Sequence, residues 1–211
     1  MSAQTWRDAH KGQPAYCLGG GVSLERQRPE PMAGAVVFGT NEQIWAPARL
    51  GLPALDYWVF YDGTIPARLP VNFYNRPLKI VLEPAARMLR RQGFRDGDGR
   101  GNTFALVGRG GRPFRDAEEI YEGGSSLLGA VHLAWIMGCR PVHVRGLDLE
   151  RGPDGRAHWW ETKGARASAD SEAWRRMAPC FRALFSAMQA DGVAVTVGRG
   201  TKLAGEFPAG D

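Results

Sequence analysis

The sequence has few of the features that mark disulfide-linked, zinc-binding or P-loop proteins. Its 211 residues include only three cysteines, Cys17, Cys139 and Cys180, which are far apart and form no C-x-x-C pair. An odd number of widely spaced cysteines predicts free thiols rather than a disulfide framework. No H-x-x-x-H, C-x-x-C or Walker-type spacing occurs, so the sequence predicts neither a zinc site nor a P-loop.

Long apolar runs are also missing. No run approaches the roughly 18 residues that a membrane-spanning helix needs, and residues 1–14 are polar, without the apolar core of a signal peptide. We therefore expect a cytoplasmic protein with no membrane span. The formal net charge of +5 would suit nucleotides or nucleic acid. Because the arginines are scattered and form no dense basic block, nucleic acid is not favoured as a direct partner.

Short apolar runs alternate with amphipathic segments along the whole chain. The apolar runs predict six strands, and helical spacing predicts helices over 84–92, over 127–137 and over 171–190. The predicted strands are Ala15 to Leu18, Ala35 to Phe38, Tyr57 to Tyr61, Lys79 to Leu82, Val142 to Val144 and Val193 to Val197. This order predicts an α/β protein, with a Rossmann-like, mostly parallel sheet and helices on both faces.

Residues 1–211 are expected to form a single nucleotide-binding domain. Residues 1–13 precede the first strand and are interpreted as an N-terminal arm. Residues 93–124 and 150–170 are polar and rich in glycine, which predicts long loops or a lid. Residues 199–211 are interpreted as an irregular tail.

In a parallel sheet of this kind, ligands bind beyond the carboxyl ends of the strands. The first strand ends at Gly19, Gly20 and Gly21, where the backbone can approach a ligand closely, and Ser23 adds a hydroxyl group. This turn is either a phosphate-binding element or a purely structural turn. It lacks the third glycine of the dinucleotide fingerprint, since Leu24 stands at that position.

Other hydroxyl and carboxylate groups lie at the start of a helix or directly after a predicted strand, where they could also contact a ligand. Ser125 and Ser126 begin the buried helix, where free amides and the helix dipole favour an anion, although Ser125 would also serve as a plain N-cap. Asp148 follows the fifth strand and Asp62 follows the third. Either carboxylate can hold a ribose hydroxyl or a metal, or simply cap a loop.

His158-Trp159-Trp160 is the remaining candidate element, and it lies in a polar loop. Histidine is the usual general acid or base near neutral pH. The paired tryptophans fit either of two roles: stacking on a base or sugar, or an apolar plug that docks the loop.

Together these elements resemble a superfamily that includes bacterial sialyltransferases, 6-hydroxymethylpterin diphosphokinase-like proteins and many phage members. Lys11-Gly12 leading into residues 15–24 is similar to its "K-G … G-N-G-P-S-L" opening, with Gly20 and Val22 in place of the usual Asn and Pro. Gly39-Thr40-Asn41-Glu42 resembles its second-strand motif, and residues 56–62 resemble its third strand. Residues 124–149 resemble the block that ends in G-x-D.

The resemblance implies a nucleotide-dependent transferase. In the sialyltransferases the matching turns hold a cytidine nucleotide-sugar without a metal, and in the pterin kinases they are expected to hold ATP with magnesium. The catalytic histidine of the sialyltransferases lies shortly before the last helix. Residues 166–170 of this chain contain none, and His158 lies about ten residues earlier.

Three hypotheses follow for the reaction. The first is glycosyl transfer from a nucleotide-sugar to an unknown acceptor, without a cofactor. His158 or Asp170 would be the general base, and basic residues of the loops would neutralise the leaving phosphate. The second is a diphosphokinase that uses ATP and magnesium, with Asp62 and Asp148 on the metal. The third is a non-catalytic nucleotide-binding accessory protein. The residues expected to bind the nucleotide are Gly19, Gly20, Gly21, Ser23, Asn41, Asp62, Ser125, Ser126 and Asp148.

Overall fold

A computed structural model describes residues 1–68, 77–83, 85–121, 123–162 and 171–210. Short strands alternate with helices along these residues, as the apolar periodicity predicts. The strands are β1 (Ala15–Leu18), β2 (Val36–Thr40), β3 (Tyr57–Phe60), β4 (Leu78–Val81), β5 (Arg95–Asp96), β6 (Thr103–Leu106), β7 (Arg109–Gly110), β8 (Ile120–Tyr121), β9 (Val142–Arg145), β10 (Val195–Gly198) and β11 (Ala209–Gly210). The helices are α1 (Ala46–Leu50), α2 (Ile65–Arg68), α3 (Ala85–Arg91), α4 (Ser126–Ile136) and α5 (Ser171–Ala190).

Nine strands form one sheet in the order β11-β10-β9-β1-β2-β3-β4-β6-β5, and its pairings are parallel. The chain builds outward from β1 through β2, β3 and β4, and then returns to place β9 on the other side of β1. The strand order therefore reverses between β1 and β9. In open α/β sheets the crevice beyond such a reversal is the usual place for a ligand. The fold is a Rossmann-like α/β fold.

Both faces of the sheet are buried, and successive strand residues point to opposite faces. In β1, Cys17 packs into a core with α4 and α5, whereas Tyr16 and Leu18 pack into a second core with α3. Burial on both faces explains why the central strands are continuously apolar rather than alternating. Helix α4 is buried along its whole length, which fits its lack of a polar face.

The six strands predicted from the apolar runs are confirmed, with bounds that shift by one or two residues. The helices over 127–137 and 171–190 are also confirmed. The helix predicted over 84–92 is observed as α3, and its predicted first residue, Pro84, lies outside the described residues. The three cysteines are free thiols, with Cys17 and Cys139 buried and Cys180 half-buried.

The prediction of long loops over 93–124 is wrong in part. Residues Thr103–Leu106 form β6, which pairs with β4 and extends the sheet, and Arg95–Asp96 pair with β6 as β5. The prediction fails because an apolar run of only four residues, flanked by glycine and arginine, gives little periodic signal. The tail over 199–211 is likewise not wholly irregular, since Ala209–Gly210 pair with β10.

Within the described ranges, no helix combines the length and the apolar character that crossing a bilayer requires. The longest helix, α5, spans 20 residues and has one apolar face that packs into the core with Phe181, Leu184 and Phe185. Its opposite face carries charged residues such as Arg175 and Arg176, as expected of an amphipathic helix on a sheet.

Two histidines with lowered pKa values, the buried His132 and the half-buried His143, make the stability of the fold depend on pH. His132 of α4 accepts a hydrogen bond from the Tyr121 amide at Nδ1 and donates to the Phe114 carbonyl from Nε2, both at 2.8 Å. Burial lowers the pKa of His132 from about 6.5 to about 4. Burial, together with the Arg145 charge, also lowers the pKa of His143 to about 4.

The free energy of unfolding should therefore be highest above pH 6.5 and fall between about pH 6.5 and pH 4, because the unfolded chain binds protons there first. His132 alone accounts for on the order of 3 kcal/mol of this loss. Urea denaturation at several pH values measures the slope. The His132→Gln variant should be less stable at neutral pH but have a shallower slope, and parallel curves for variant and wild type would contradict the assignment.

Candidate functional site

A cavity of about 210 Å³ opens at the carboxyl edge of the sheet, beyond the reversal between β1 and β9. Nine of the eleven residues that the sequence singled out line it. These are Gly19, Gly20, Gly21, Asn41, Asp62, Ser125, Ser126, Asp148 and His158. Ser23 is not part of this lining but contacts Asp148, and Asp170 lies outside the described residues. The topology thus brings turns from four strands and the start of α4 to one place.

The glycine turn after β1 fits against the end of β9. The Gly19 amide donates to the Arg145 carbonyl at 2.7 Å, and the Gly21 amide donates to the Gly146 carbonyl at 2.8 Å. A Cβ atom at Gly19 would lie 2.6 Å from both the Gly146 oxygen and a Leu127 methyl group. Glycine is therefore required here for close packing, and two of the three turn amides are used within the fold rather than left for a phosphate.

Asp148 holds the next residues of the same turn. One carboxylate oxygen accepts from the Ser23 amide at 2.9 Å, and the other accepts from the Ser23 hydroxyl group. Asp148 is 5% exposed. Burial raises the pKa of its carboxyl group, and the hydrogen bonds from Ser23 counteract only part of that rise. The Ser23 hydroxyl and both Asp148 oxygens thus have partners inside the protein.

Asn41 and Ser126 join the end of β2 to the start of α4. The Ser126 hydroxyl donates to Asn41 Oδ1 at 3.1 Å, and the Asn41 carbonyl accepts from Trp58 Nε1 at 2.7 Å. Asn41 has a φ of 50°, a left-handed conformation that asparagine tolerates better than most residues. Ser125 caps α4 by accepting from the Leu127 amide at 3.2 Å. The first-turn amides of α4 have no partner within the helix, which favours an anion beside them.

His158 lies over the glycine turn and is oriented by a carboxylate. Its Nδ1 is 2.8 Å from Glu161 Oε1, while Glu161 Oε2 accepts from the Ala157 amide. Burial acts to raise the pKa of Glu161, but the hydrogen bonds from His158 and Ala157 outweigh it, so that pKa is lowered. An ionised carboxylate only accepts hydrogen bonds, so Nδ1 carries the proton. In the neutral ring Nε2 is then left as the basic nitrogen.

The two neighbouring tryptophans lie in different environments, Trp159 in the core and Trp160 in the cavity lining. Trp159 is a plug: it is 5% exposed, its amide donates to the Gly20 carbonyl at 3.0 Å, and its Nε1 donates to Gln43 Oε1 at 2.7 Å. Trp160 instead lines the cavity and stacks on the His158 ring, with 4.5 Å between the two ring centroids. A Cβ atom at Gly20 would lie 2.7 Å from Trp160, so only a glycine at this position leaves room for the Trp160 ring.

The loop that carries these residues is anchored through Arg156. Its guanidinium group donates to both carboxylate oxygens of Glu25 at 2.8 and 2.7 Å and to Asp154 at 2.7 Å. It also donates to the Trp159 carbonyl at 2.8 Å. These paired, charge-assisted bonds tie residues 150–162 to the segment that follows the glycine turn.

Asp62 lies at the outer rim of the cavity. Its Oδ1 accepts from the amide and the hydroxyl of Thr64 at 2.8 and 2.9 Å, which caps the turn before α2. Its other oxygen is 3.8 Å from Arg68, and its side chain is 44% exposed. Beside it, the Tyr61 hydroxyl donates to the Gly124 carbonyl at 2.6 Å and connects β3 to the turn before α4.

The charge of the cavity differs from the sequence-based expectation. Among the described residues, its lining includes three carboxylates, Asp62, Asp148 and Glu150, but no lysine or arginine. The expectation that basic residues of the loops neutralise a phosphate here is therefore not met within these ranges. Described residues likewise contain no group of three or more His, Cys, Asp or Glu side chains arranged to hold a metal ion.

Several residues in the cavity lining, or bonded to a lining residue, were not predicted from the sequence. Glu161 and Gln43 hold His158 and Trp159, and Trp174, Met177 and Phe181 of α5 close one side of the cavity. Only the spacing of His158 and Glu161, three residues apart in one loop, could have indicated from the sequence that the two side chains pair. The α5 residues follow ordinary core spacing, which does not distinguish a cavity wall from a core.

Comparison with known proteins gives little beyond this geometry. No family model matches the sequence, and no curated protein matches it. Among solved structures, the MAf glycosyltransferase from Magnetospirillum magneticum AMB-1 is similar, with a TM-score of 0.44 and 13% sequence identity. The similarity covers 72% of this chain and 28% of that chain. The chain therefore spans under a third of the length of this neighbour, and so distant a likeness carries no argument about function.

The packing of the glycine turn against Asp148 gives a direct test. A Cβ atom at Gly21 would lie 2.4 Å from the Asp148 carboxyl carbon, which Ser23 holds in place. Gly21 has a φ of −60°, so alanine meets only the steric conflict. We expect Gly21→Ala to lower the free energy of unfolding by about 1–3 kcal/mol in urea denaturation. The matched control is Gly205→Ala, where a Cβ atom meets nothing within 4 Å, and equal stability of the two variants would contradict this packing.

Proposed function

We propose that this protein transfers a glycosyl group from a nucleotide-sugar donor to an acceptor hydroxyl group in the cavity beyond β1 and β9. The observation that carries the proposal is His158, held by Glu161 at 2.8 Å in the lining of that cavity. A histidine paired with a carboxylate is the arrangement by which a base is oriented and its protonated form stabilised. Asp170, the other candidate base, lies outside the described residues.

In the proposed reaction, Nε2 of His158 accepts the proton of the acceptor hydroxyl group as its oxygen attacks the anomeric carbon. The bond between that carbon and the phosphate oxygen breaks, and the nucleotide leaves with the electron pair. Glu161 stabilises the imidazolium that forms, because its carboxylate is hydrogen-bonded to Nδ1. The stacked Trp160 ring holds the imidazole plane in position over Gly20.

The charge of the cavity bears on the kind of donor. With three carboxylates and no lysine or arginine in the described lining, a diphosphate would meet repulsion that only backbone amides oppose. A donor with a single phosphate carries less negative charge. We therefore propose a sugar linked to a nucleoside monophosphate, bound without a metal. Its phosphate would contact the start of α4 at Ser125 and Ser126, with Asn41 alongside.

The remaining predicted nucleotide-binding residues receive narrower roles in this proposal. Gly19 and Gly21 shape the turn through their contacts with β9, and Gly20 lies against the Trp160 ring. The hydrogen bonds between Ser23 and Asp148 stabilise the turn. Asp62 lies at the rim with its side chain 44% exposed, and it would contact a ribose or acceptor hydroxyl group.

One observation favours a second candidate, a diphosphokinase that uses ATP and magnesium. The acidic lining, with Asp62, Asp148 and Glu150, would suit a divalent cation that accompanies a polyphosphate. Both oxygens of Asp148 already accept hydrogen bonds from Ser23, however, so this carboxylate fits a metal only if the glycine turn rearranges. A magnesium-dependent affinity for ATP in calorimetry would support this candidate over the first.

The proposed base gives the central prediction for activity. We expect His158→Ala to lower kcat by about 100- to 10,000-fold with any nucleotide-sugar that the wild type turns over. Glu161→Gln keeps an acceptor for Nδ1 but removes the charge, so kcat should fall about tenfold. Glu172→Gln, an exposed change at the start of α5, is the matched control.

The substrates for this assay are sugars linked to cytidine monophosphate, uridine diphosphate and guanosine diphosphate, each with and without magnesium. Release of the free nucleotide measures both transfer and hydrolysis. If the wild type binds a nucleotide in calorimetry but releases none from any donor, a non-catalytic binding module replaces the transferase. Full activity in His158→Ala would instead remove this residue from the role of base.

A further inference from the structure

A buried glutamine in the cavity lining has an amide nitrogen without a partner. Gln43 is 0% exposed and lies three residues beyond the end of β2, in the same cavity lining as Gly20 and Asn41. Its Nε2 forms no hydrogen bond within the described part of the chain. A buried donor without an acceptor is costly in a folded protein, and most such groups are satisfied. A bound molecule with a suitable acceptor would satisfy this one.

The orientation of this amide is fixed by Trp159. The indole Nε1 of Trp159 donates to Gln43 Oε1 at 2.7 Å, and an indole N–H group can only donate. The oxygen of Gln43 must therefore face the tryptophan, and the NH₂ group must take the other position. Trp159 is itself held by its amide bond to the Gly20 carbonyl at 3.0 Å. Gln43 thus presents a donor and cannot exchange it for an acceptor by rotating its amide.

The surroundings of Gln43 indicate what kind of acceptor it meets. Trp159, which bonds to Gln43, and Leu55, which lies with it beside Gly39, belong to the apolar core. A neutral donor in apolar surroundings suits an uncharged acceptor better than a phosphate, because a charge there would lose its hydration without a counter-charge. The first-turn amides of α4 are the better site for the phosphate.

We propose that Gln43 is a specificity-determining residue that donates a hydrogen bond from Nε2 to a ring oxo group of the nucleobase. The donor nucleotide is then one whose base carries a carbonyl oxygen, as cytosine, uracil and guanine do. Adenine is disfavoured, because it has no ring oxo group and its exocyclic amino group would meet the Gln43 donor with a second donor. This inference rests on the proposed nucleotide-sugar donor and narrows it to an oxo-bearing base.

Binding of nucleoside monophosphates tests the inference without requiring turnover. We measure the dissociation constants of CMP, UMP, GMP and AMP by calorimetry with the wild-type chain. The three oxo-bearing nucleotides should bind about tenfold or more tightly than AMP, as expected for one satisfied donor against one opposed donor. In Gln43→Met the affinity for the oxo-bearing nucleotides should fall to that for AMP.

A second variant keeps Gln43 but removes the hydrogen bond that fixes the orientation of its amide. Trp159→Phe removes the indole donor, so the amide of Gln43 can rotate and offer either its oxygen or its NH₂ group. We expect this variant to bind AMP more tightly than the wild type does, with little change for UMP, so that the preference disappears without a general loss of binding. Gln92→Met, which removes a half-buried glutamine bonded to the Pro66 carbonyl outside this cavity lining, is the matched control.

The outcomes separate this inference from the function on which it rests. If the wild type binds none of the four nucleotides, the proposed function fails and the inference fails with it. If the wild type binds them and Gln43→Met keeps the same preference among bases, only the role of Gln43 is overturned. A uniform loss of affinity for all four nucleotides in Gln43→Met, AMP included, would assign its donor to the phosphate or ribose and would also overturn base reading.

Discussion

The close approach of the turns after β1 and β9 is the constraint on which the cavity depends. A Cβ atom at Gly19 would lie 2.6 Å from the Gly146 oxygen, and one at Gly146 would lie 2.5 Å from the Gly19 oxygen. The backbones of the two turns form two hydrogen bonds across this contact, from the Gly19 amide to the Arg145 carbonyl and from the Gly21 amide to the Gly146 carbonyl. The Asp148 carboxylate also accepts a hydrogen bond from the Ser23 amide. Because β1 and β9 lie at the reversal of strand order, this contact forms the floor of the crevice in which such folds bind ligands.

The remaining walls depend on that floor. Leu127 at the start of α4 lies close to Gly19, and this contact sets where the first turn of the helix lies. Trp159 bonds to the Gly20 carbonyl and so fixes the loop that carries His158. The loop is anchored a second time through Arg156 and Glu25. The proposed base is thus held at a rigid position, as a catalytic group requires.

The cavity combines a histidine held by a carboxylate with an acidic lining, and this combination bears on the chemistry proposed for it. An ionised Glu161 favours the imidazolium form of His158 after proton transfer. The other carboxylates make the cavity a poor place for several phosphate charges unless a cation enters with them. Asp148 contributes to this charge while serving a structural role, since its two oxygens are occupied by Ser23.

The sequence by itself determined the class of fold and the edge of the sheet at which a site would lie. Continuous apolar runs such as Tyr57 to Phe60 identify strands buried on both faces, and glycine, serine and aspartate residues directly after them indicate the ligand edge. Local periodicity was too weak to find β6, because four apolar residues between glycines give little signal. The expected basic residues are absent from the described part of the cavity lining, because composition does not determine the direction in which a side chain points.

Only the tertiary structure decided which polar groups at the cavity form hydrogen bonds inside the protein. Ser23 and Asp148 looked like ligand-binding residues in the sequence, yet they bond to each other across 125 positions of the chain. Gln43 gave no signal, and its significance arises from Trp159, which lies 116 positions away and fixes its amide. Hydrogen bonds between residues so distant in sequence depend on how strands and loops are brought together, and local pattern does not encode that arrangement.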